Sequence, residues 1–381
     1  MERLGKRILL IAVAVLLSTN SARSASDNKL TKVYHHTNGD AASRNLELGS
    51  LVFYFEQEPI IKNLNAQGKN NFVFLFPAVD AQGAEVDAMI DAVNKSKPHN
   101  YSVKIERTKA PEQGLKLVFA YNPELVGLSY DHFRSINLQK GVIFHVHNKE
   151  LLGKIKSSSH KPVLSIAKAH NPTVVIDCGH GGSDAGAIGC AHVQEKEILL
   201  PIGLEVARLL KSSGIEAVLT RATDCTVNLD QRTRLANTCG ADAFVSIHAN
   251  SASSNEASGI ETFCVDPTDF YGKFASLTPQ EKKVADKFFL NRCAQGQLLA
   301  NSLHANLIAQ ISEKKYPVVD RKVKHASSQV LLGAHMPAVL VEIGFVTNEP
   351  ESRLLKSPKY QLVVAQGISN GILAFLHANN A

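Results

Sequence analysis

The stretch Val174-Val175-Ile176-Asp177-Cys178-Gly179-His180-Gly181-Gly182 decides how this chain folds. Its apolar start has the length of a buried strand, and the glycines that follow permit a tight loop approaching a ligand closely. Apolar residues then recur at helical spacing (Ile198, Ile202, Val206, Leu209-Leu210) from Glu195 until Gly214 stops the pattern. Pro201 inside that span predicts a kink in its first turns. Strand, glycine loop and helix open an α/β unit, and the pattern continues outward. Strands are expected over 215–220, 243–248, 259–265 and 338–343, with helices over 229–238, 294–311 and 360–376. Such alternation implies an α/β fold, a largely parallel sheet with helices on both faces.

The polar residues fall at informative places. His180, His248 and Glu342 each stand at or just beyond the carboxyl end of an apolar strand, where open α/β sheets bind ligands. Glu195 opens the first helix and leans over the same rim. Two neutral imidazoles and one carboxylate form the ligand set of a catalytic zinc that keeps an open position for water. The second carboxylate is then free to handle protons, which is hydrolase chemistry. Glu342 interrupts Ala338-Val339-Leu340-Val341, and a carboxylate entering a buried strand is costly unless something compensates. Spacing alone leaves open whether Glu195 or Glu197 is the carboxylate ligand. The glycines around His180 suggest a phosphate cradle as well, but no Lys-Ser/Thr follows, which argues against a P-loop.

Longer motifs carry a resemblance. The run from Val175 through Gly189, then Glu195-Lys196-Glu197, resembles the zinc-dependent N-acetylmuramoyl-L-alanine amidases of the AmiC/LytC type. So do Thr220-Arg221, Leu229-Asp230-Gln231-Arg232, Ala236-Asn237, the run Ala241 to Asn250, Gly259-Ile260-Glu261-Thr262, and Pro337 through Asn348. The resemblance covers about residues 173 to 377. It implies that His180, Glu195 and His248 hold Zn2+, and it selects Glu195 over Glu197. It also implies that Glu342 is the catalytic carboxylate, and that the bond cut joins the lactyl group of N-acetylmuramic acid to L-alanine in peptidoglycan. Cys178 departs from the family, which usually carries proline there; it reads as tuning the turn, not as a ligand. Asn250 and Arg232 read as supports of the site or contacts to substrate. In some division amidases of this family a helix beyond the corresponding strand blocks the zinc until an activator removes it. Here Thr278-Pro279-Gln280-Glu281 is a good helix start, so 279–289 is an expected helix and the 266–292 insertion a candidate gate, with an activator protein as its partner and Glu281 or Asp286 as candidate blocking groups.

The remaining chain sets the context. Its 381 residues suffice for about two domains. Arg3, Lys6 and Arg7 precede an apolar run and small residues near Ser24, the layout of a secretory signal peptide over 1–24. Membrane attachment is then expected only through an uncleaved signal segment, and no later span is expected. Residues 30–150 read as a smaller β-rich domain with strand-like runs at 51–55, 72–76, 101–105, 115–120 and 141–146, and one helix near 85–94. This unit faintly resembles the AMIN wall-binding domains. A basic, Ser/His-rich linker over 151–171 leads to the catalytic domain, 172–381. Loss of 1–24 lowers the formal charge from +6 to +3, which suits a polyanionic wall. No basic run with interleaved aromatics points to nucleic acid. The expected location is periplasmic or secreted, at the cell wall, in wall remodelling or daughter-cell separation. All six cysteines lie beyond residue 170 without a CxxC pair, which argues against a structural Cys-zinc site; Cys264 with Cys293, bracketing the insertion, is the expected disulfide. Two other readings share the residues: a zinc peptidase trimming stem peptides, and a catalytically inactive wall-binding regulator.

Overall fold

The computed structural model describes residues 28–37, 47–57, 59–64, 71–95, 100–109, 113–134, 140–149, 171–269, 271–274 and 279–380. The expected signal peptide and nearly all of the expected linker lie outside these residues.

The N-terminal unit contains β1 (Asn28–Thr37), β2 (Glu47–Phe55), β3 (Lys62–Asn63), β4 (Asn71–Pro77), β5 (Val79–Asp80), α1 (Ala84–Lys95), β6 (Tyr101–Thr108), β7 (Gly114–Tyr121), β8 (Val126–Arg134) and β9 (Lys140–Asn148). Strands β3-β4-β7-β6 form one sheet, while β8-β9-β2-β1-β5 belong to a second. Between them lies an aromatic core of Phe53, Phe55, Phe74, Phe76, Phe119 and Phe144. The run Leu51-Val52-Phe53-Tyr54-Phe55 is apolar on both faces for a reason. Leu51, Phe53 and Phe55 enter this core, whereas Val52 and Tyr54 enter another, shared with the C-terminal half.

That half comprises β10 (Thr173–Cys178), α2 (Glu195–Ser212), β11 (Glu216–Leu219), α3 (Leu229–Cys239), β12 (Ala243–Asn250), β13 (Ile260–Cys264), β14 (Tyr271–Phe274), α4 (Pro279–Glu313), β15 (Asp320–His325), α5 (Gln329–Gly333), β16 (Ala338–Phe345), α6 (Glu349–Lys356) and α7 (Pro358–Asn380). Its sheet runs β11-β10-β12-β16-β13-β15. The first four strands are parallel, and the step from β16 to β13 is antiparallel. Alternate residues of each strand face opposite sides. Val174, Ile176, Val245, Ile247, Val339 and Val341 pack under α2, α4 and α7. Val175, Phe244 and Leu340 face α3, α5 and the N-terminal Val52, Tyr54 and Ile143. The fold is α/β with helices on both faces of a largely parallel sheet, as its alternation implies.

Three expectations change. The helices expected over 279–289 and 294–311 are one 35-residue helix, α4, because nothing between them breaks the pattern: neither glycine nor proline stands between Leu290 and Gln295. The insertion also contributes β14, which pairs antiparallel with β8 and joins the N-terminal sheet. The Cys264–Cys293 bridge is not formed; all six cysteines are free. Cys264 Sγ instead contacts Gln297 Oε1 at 3.4 Å, and burial pushes the Cys264 and Cys293 thiols up to about 12 and about 11. Finally, α7 is long and apolar enough to cross a membrane, but Val364, Ala365, Ile368 and Ile372 are fully buried in the core.

Candidate metal centre

After β10 the chain turns at Gly179 and presents His180 with a φ of +58°, a conformation uncommon outside glycine. Two buried arginines hold the turn. Arg221 donates to the Cys178 and Gly179 carbonyls at 3.0 and 2.9 Å. Arg232 donates to the Cys178 and His180 carbonyls at 2.7 and 2.8 Å. Arg232 also pairs with Asp177 at 2.7 Å, and the second Asp177 oxygen accepts from the Ser246 hydroxyl at 2.7 Å. This network fixes the loop that carries the first imidazole to the strand that carries the second.

The buried Glu195 carboxylate, in the first turn of α2, sits between two rings. His180 Nε2 is 3.1 Å from its Oε2, and His248 Nδ1 is 3.0 Å from its Oε1. The backbone N–H groups of Ala187 and Ala249 donate to the same carboxylate at 2.9 Å each. Ring centroids of His180 and His248 lie 4.9 Å apart at 82°. One donor atom from each of the three residues lies within 4.8 Å of the others. Glycine permits this closeness: a Cβ at Gly179 would stand 2.3 Å from His248 Cε1, and one at Gly186 would stand 2.6 Å from Glu195 Oε2. Asp184 Oδ2 lies 2.8 Å from His180 Nδ1. A proton donated there leaves the Nε2 lone pair facing Glu195, the arrangement that orients a ligating histidine.

Electrostatics agrees with the donor chemistry. Burial opposes ionisation of Glu195, but hydrogen bonds from His180 and His248 outweigh it and hold the carboxyl well below its usual range. Burial likewise disfavours a charged His248, yet the Glu195 hydrogen bond and charge push it up to about 9. The pocket therefore prefers positive charge beside Glu195, supplied by ring protons or by a cation that displaces them. The donors present fit one divalent ion.

Glu342 lies next door. On β16 it stands in register with His248 on one side and Glu261 on the other. Its buried Oε2 has no hydrogen-bond partner among the described residues. Burial pushes the carboxyl up to about 7; the charges of Glu195 and Glu261 add to this, and that of His248 opposes it.

The remaining candidates sort out by position. Glu197 is exposed and leans back on the Gln194 N–H at 3.5 Å, away from the imidazoles. Cys178 is buried under α2, where a Cβ on Gly203 would stand 2.1 Å from its Sγ, and burial pushes its thiol up to about 12. Asn250 donates to Glu261 at 2.7 Å, and Arg321 donates to the other Glu261 oxygen at 2.8 Å. Asp177, Asp184, Arg221 and Glu261 received no role from the sequence. The signal for Asp177 was present, a charge inside an apolar strand facing a distant arginine, but its partner is visible only in three dimensions. Among the described residues, none from 266–292 lines the cleft at His180 and His248. The Glu281 side chain lies outside the described residues, and Asp286 is half-buried.

Fold and site together define a class: an α/β protein whose strand ends hold a donor set able to bind one metal ion. A family model described as N-acetylmuramoyl-L-alanine amidase matches residues 174–374. The chain belongs to that family and is an enzyme of this kind, an amide hydrolase of peptidoglycan. It is similar to AmiA of Escherichia coli, 33% identical over 238 residues that span 58% of this chain and 82% of that protein. It is also similar to LytC of Bacillus subtilis, 30% identical over 68% of this chain and 49% of that protein. The solved structure of AmiC2 from Nostoc punctiforme is 34% identical, with a TM-score of 0.45 over 54% of this chain and 97% of that one.

Proposed function

We propose that the protein is a zinc-dependent amidase that cuts the bond between N-acetylmuramic acid and L-alanine, with His180, Glu195 and His248 as metal ligands and Glu342 as the catalytic carboxylate. The observation that carries this reading is a three-donor cluster with a carboxylate beside it whose buried Oε2 has no hydrogen-bond partner among the described residues. Bound zinc supplies Lewis acidity and lowers the pKa of a water towards about 7. Glu342, with its own proton affinity raised towards neutrality, takes the proton of the attacking water and returns it to the departing amine. Asp184 and the carbonyl-gripping arginines keep the His180 ring aimed. The buried Asp177–Arg232 pair ties the two histidine-bearing segments to one geometry.

The same reading places the chain at the cell wall, periplasmic or secreted after removal of 1–24, in wall remodelling or daughter-cell separation. The N-terminal unit, 30–150, would bind peptidoglycan and be joined to the catalytic domain, 172–381, through the linker 151–171. An activator acting on 266–292 would work through the seam where β14 joins β8. Metal analysis coupled to mass spectrometry of digested muropeptides tests the assignment. The expected outcome is one zinc per chain and chelator-sensitive release of intact stem peptide from lactyl-bearing glycan. Cleavage within the stem peptide would instead support the peptidase, and binding without turnover would support the inactive regulator.

A further inference from the structure

A cleft of about 580 Å³ opens over His180 and His248, and its walls come from both halves of the chain. One wall belongs to the amidase half and carries the polar groups of Asp184, Asn228, Asp230 and Arg234, with Val227 and Leu229 among them. The facing wall is supplied by the N-terminal unit: Val33 and His35 of β1, and Met89, Ala92 and Val93 of α1. The His35 Nε2 lies 2.9 Å from the Tyr101 hydroxyl; the other four residues offer methyl, methylene and thioether surface and no side-chain hydrogen-bond donor.

The wall is held in place. Val52, Tyr54 and Ile143 of the N-terminal sheet share a buried core with Phe244, Leu331 and Leu340. Strand β14, from the amidase half, is hydrogen-bonded along the edge of the N-terminal sheet. Met89 is itself fixed, because its Sδ accepts the Val33 N–H at 3.4 Å. The histidine side chains nevertheless keep 24% and 19% of their surface open. The N-terminal unit therefore flanks the metal centre without covering it. A flank differs from a lid in what it does: it selects what enters.

We infer that β1 and α1 complete the substrate cleft, supplying an apolar subsite for the stem peptide beside the scissile amide. This rests on the amidase reading above. Of the two groups flanking that amide, the sugar presents hydroxyls that need donors and acceptors, which the opposite wall has. The peptide side presents the alanine methyl and the methylenes of the following residues, which match an alkyl surface that gains by excluding water. The guanidinium of Arg234, across the cleft and 3.4 Å from Asp230, suits a carboxylate further along the peptide. Val33, Met89, Ala92 and Val93 are thus specificity-determining residues contributed from outside the amidase fold.

The test uses the full-length zinc enzyme and two substrates, N-acetylmuramoyl-L-alanine and N-acetylmuramoyl-tripeptide. Ala92→Asp, at an exposed position, and Met89→Ala should each lower the preference for the tripeptide, read as the ratio of the two kcat/KM values, at least tenfold and mainly through KM. Met89→Leu should restore it, with zinc content and unfolding midpoint at wild-type values throughout. An unchanged ratio, or a loss equal on both substrates, overturns the subsite. A rise in activity on both substrates overturns it in favour of a lid. Failure of the wild-type enzyme to cut either substrate would overturn the amidase assignment itself, a result distinct from any of these.

Discussion

Two corners of the site hold the same side chain and treat it in opposite ways. In the donor corner Glu195 receives two imidazoles and two backbone N–H groups, and is held ionised. In the β13–β16 corner Glu342 has a buried oxygen without a partner and faces two other carboxylates, so its proton affinity rises. Burial alone therefore does not choose a role for a carboxylate; the partners around it do. Environments that push two titratable groups apart are what separate a ligand from an acid/base group.

The contrast can be broken from either side. The largest effect is expected from Glu342→Ala: kcat on muropeptides should fall by about 10²–10⁴, the usual worth of a positioned acid/base, while zinc stoichiometry stays at wild type. Loss of metal together with activity would show that the two corners are not separable. Next comes the support beneath the donor corner. Arg232→Met leaves Asp177 buried without its partner, which should cost about 3–5 kcal/mol of stability in denaturant unfolding. A change below about 1 kcal/mol would mean that the pair is dispensable.

The pH dependence sharpens the comparison. Because the folded Glu342 carboxyl lies at about 7, against about 4.3 in an unfolded chain, protonation favours the fold. That contribution is complete below about 4.3 and is lost as pH rises towards 7, a span of about 4 kcal/mol at most. In chelated protein, wild type should lose stability over this window relative to Glu342→Gln. Parallel stability curves would remove the raised proton affinity from the argument. The smallest effect is expected from Asp184→Ala, which frees the His180 ring and should weaken zinc binding about 10–100-fold in a competition titration.

How much of this was legible in sequence depends on the kind of interaction. The strands and helices around His180 were readable because apolar periodicity and glycine punctuation are local. The strand expected over 243–248 lies within Ala243–Asn250, and the helix expected over 195–213 is Glu195–Ser212. Strands such as Asp320–His325 escaped notice because an exposed edge strand carries little apolar alternation. The split of α4 into two helices was an error of punctuation: the position of the insertion suggested a break that no residue enforces.

Sequence by itself determined that ligand-capable residues stand at strand ends, since strand polarity and the Gly179 turn follow from the residues present. It also marked Leu51-Val52-Phe53-Tyr54-Phe55 as a strand-like run, without saying what covers either face. Spacing left Glu195 and Glu197 open and the resemblance selected Glu195; tertiary structure alone decided that Cys264 and Cys293 remain thiols, and that β1 and α1 stand beside the cleft. Each of these depends on groups far apart along the chain coming within a few ångströms. Desolvation and pairing act over that distance in space, and no local pattern encodes it.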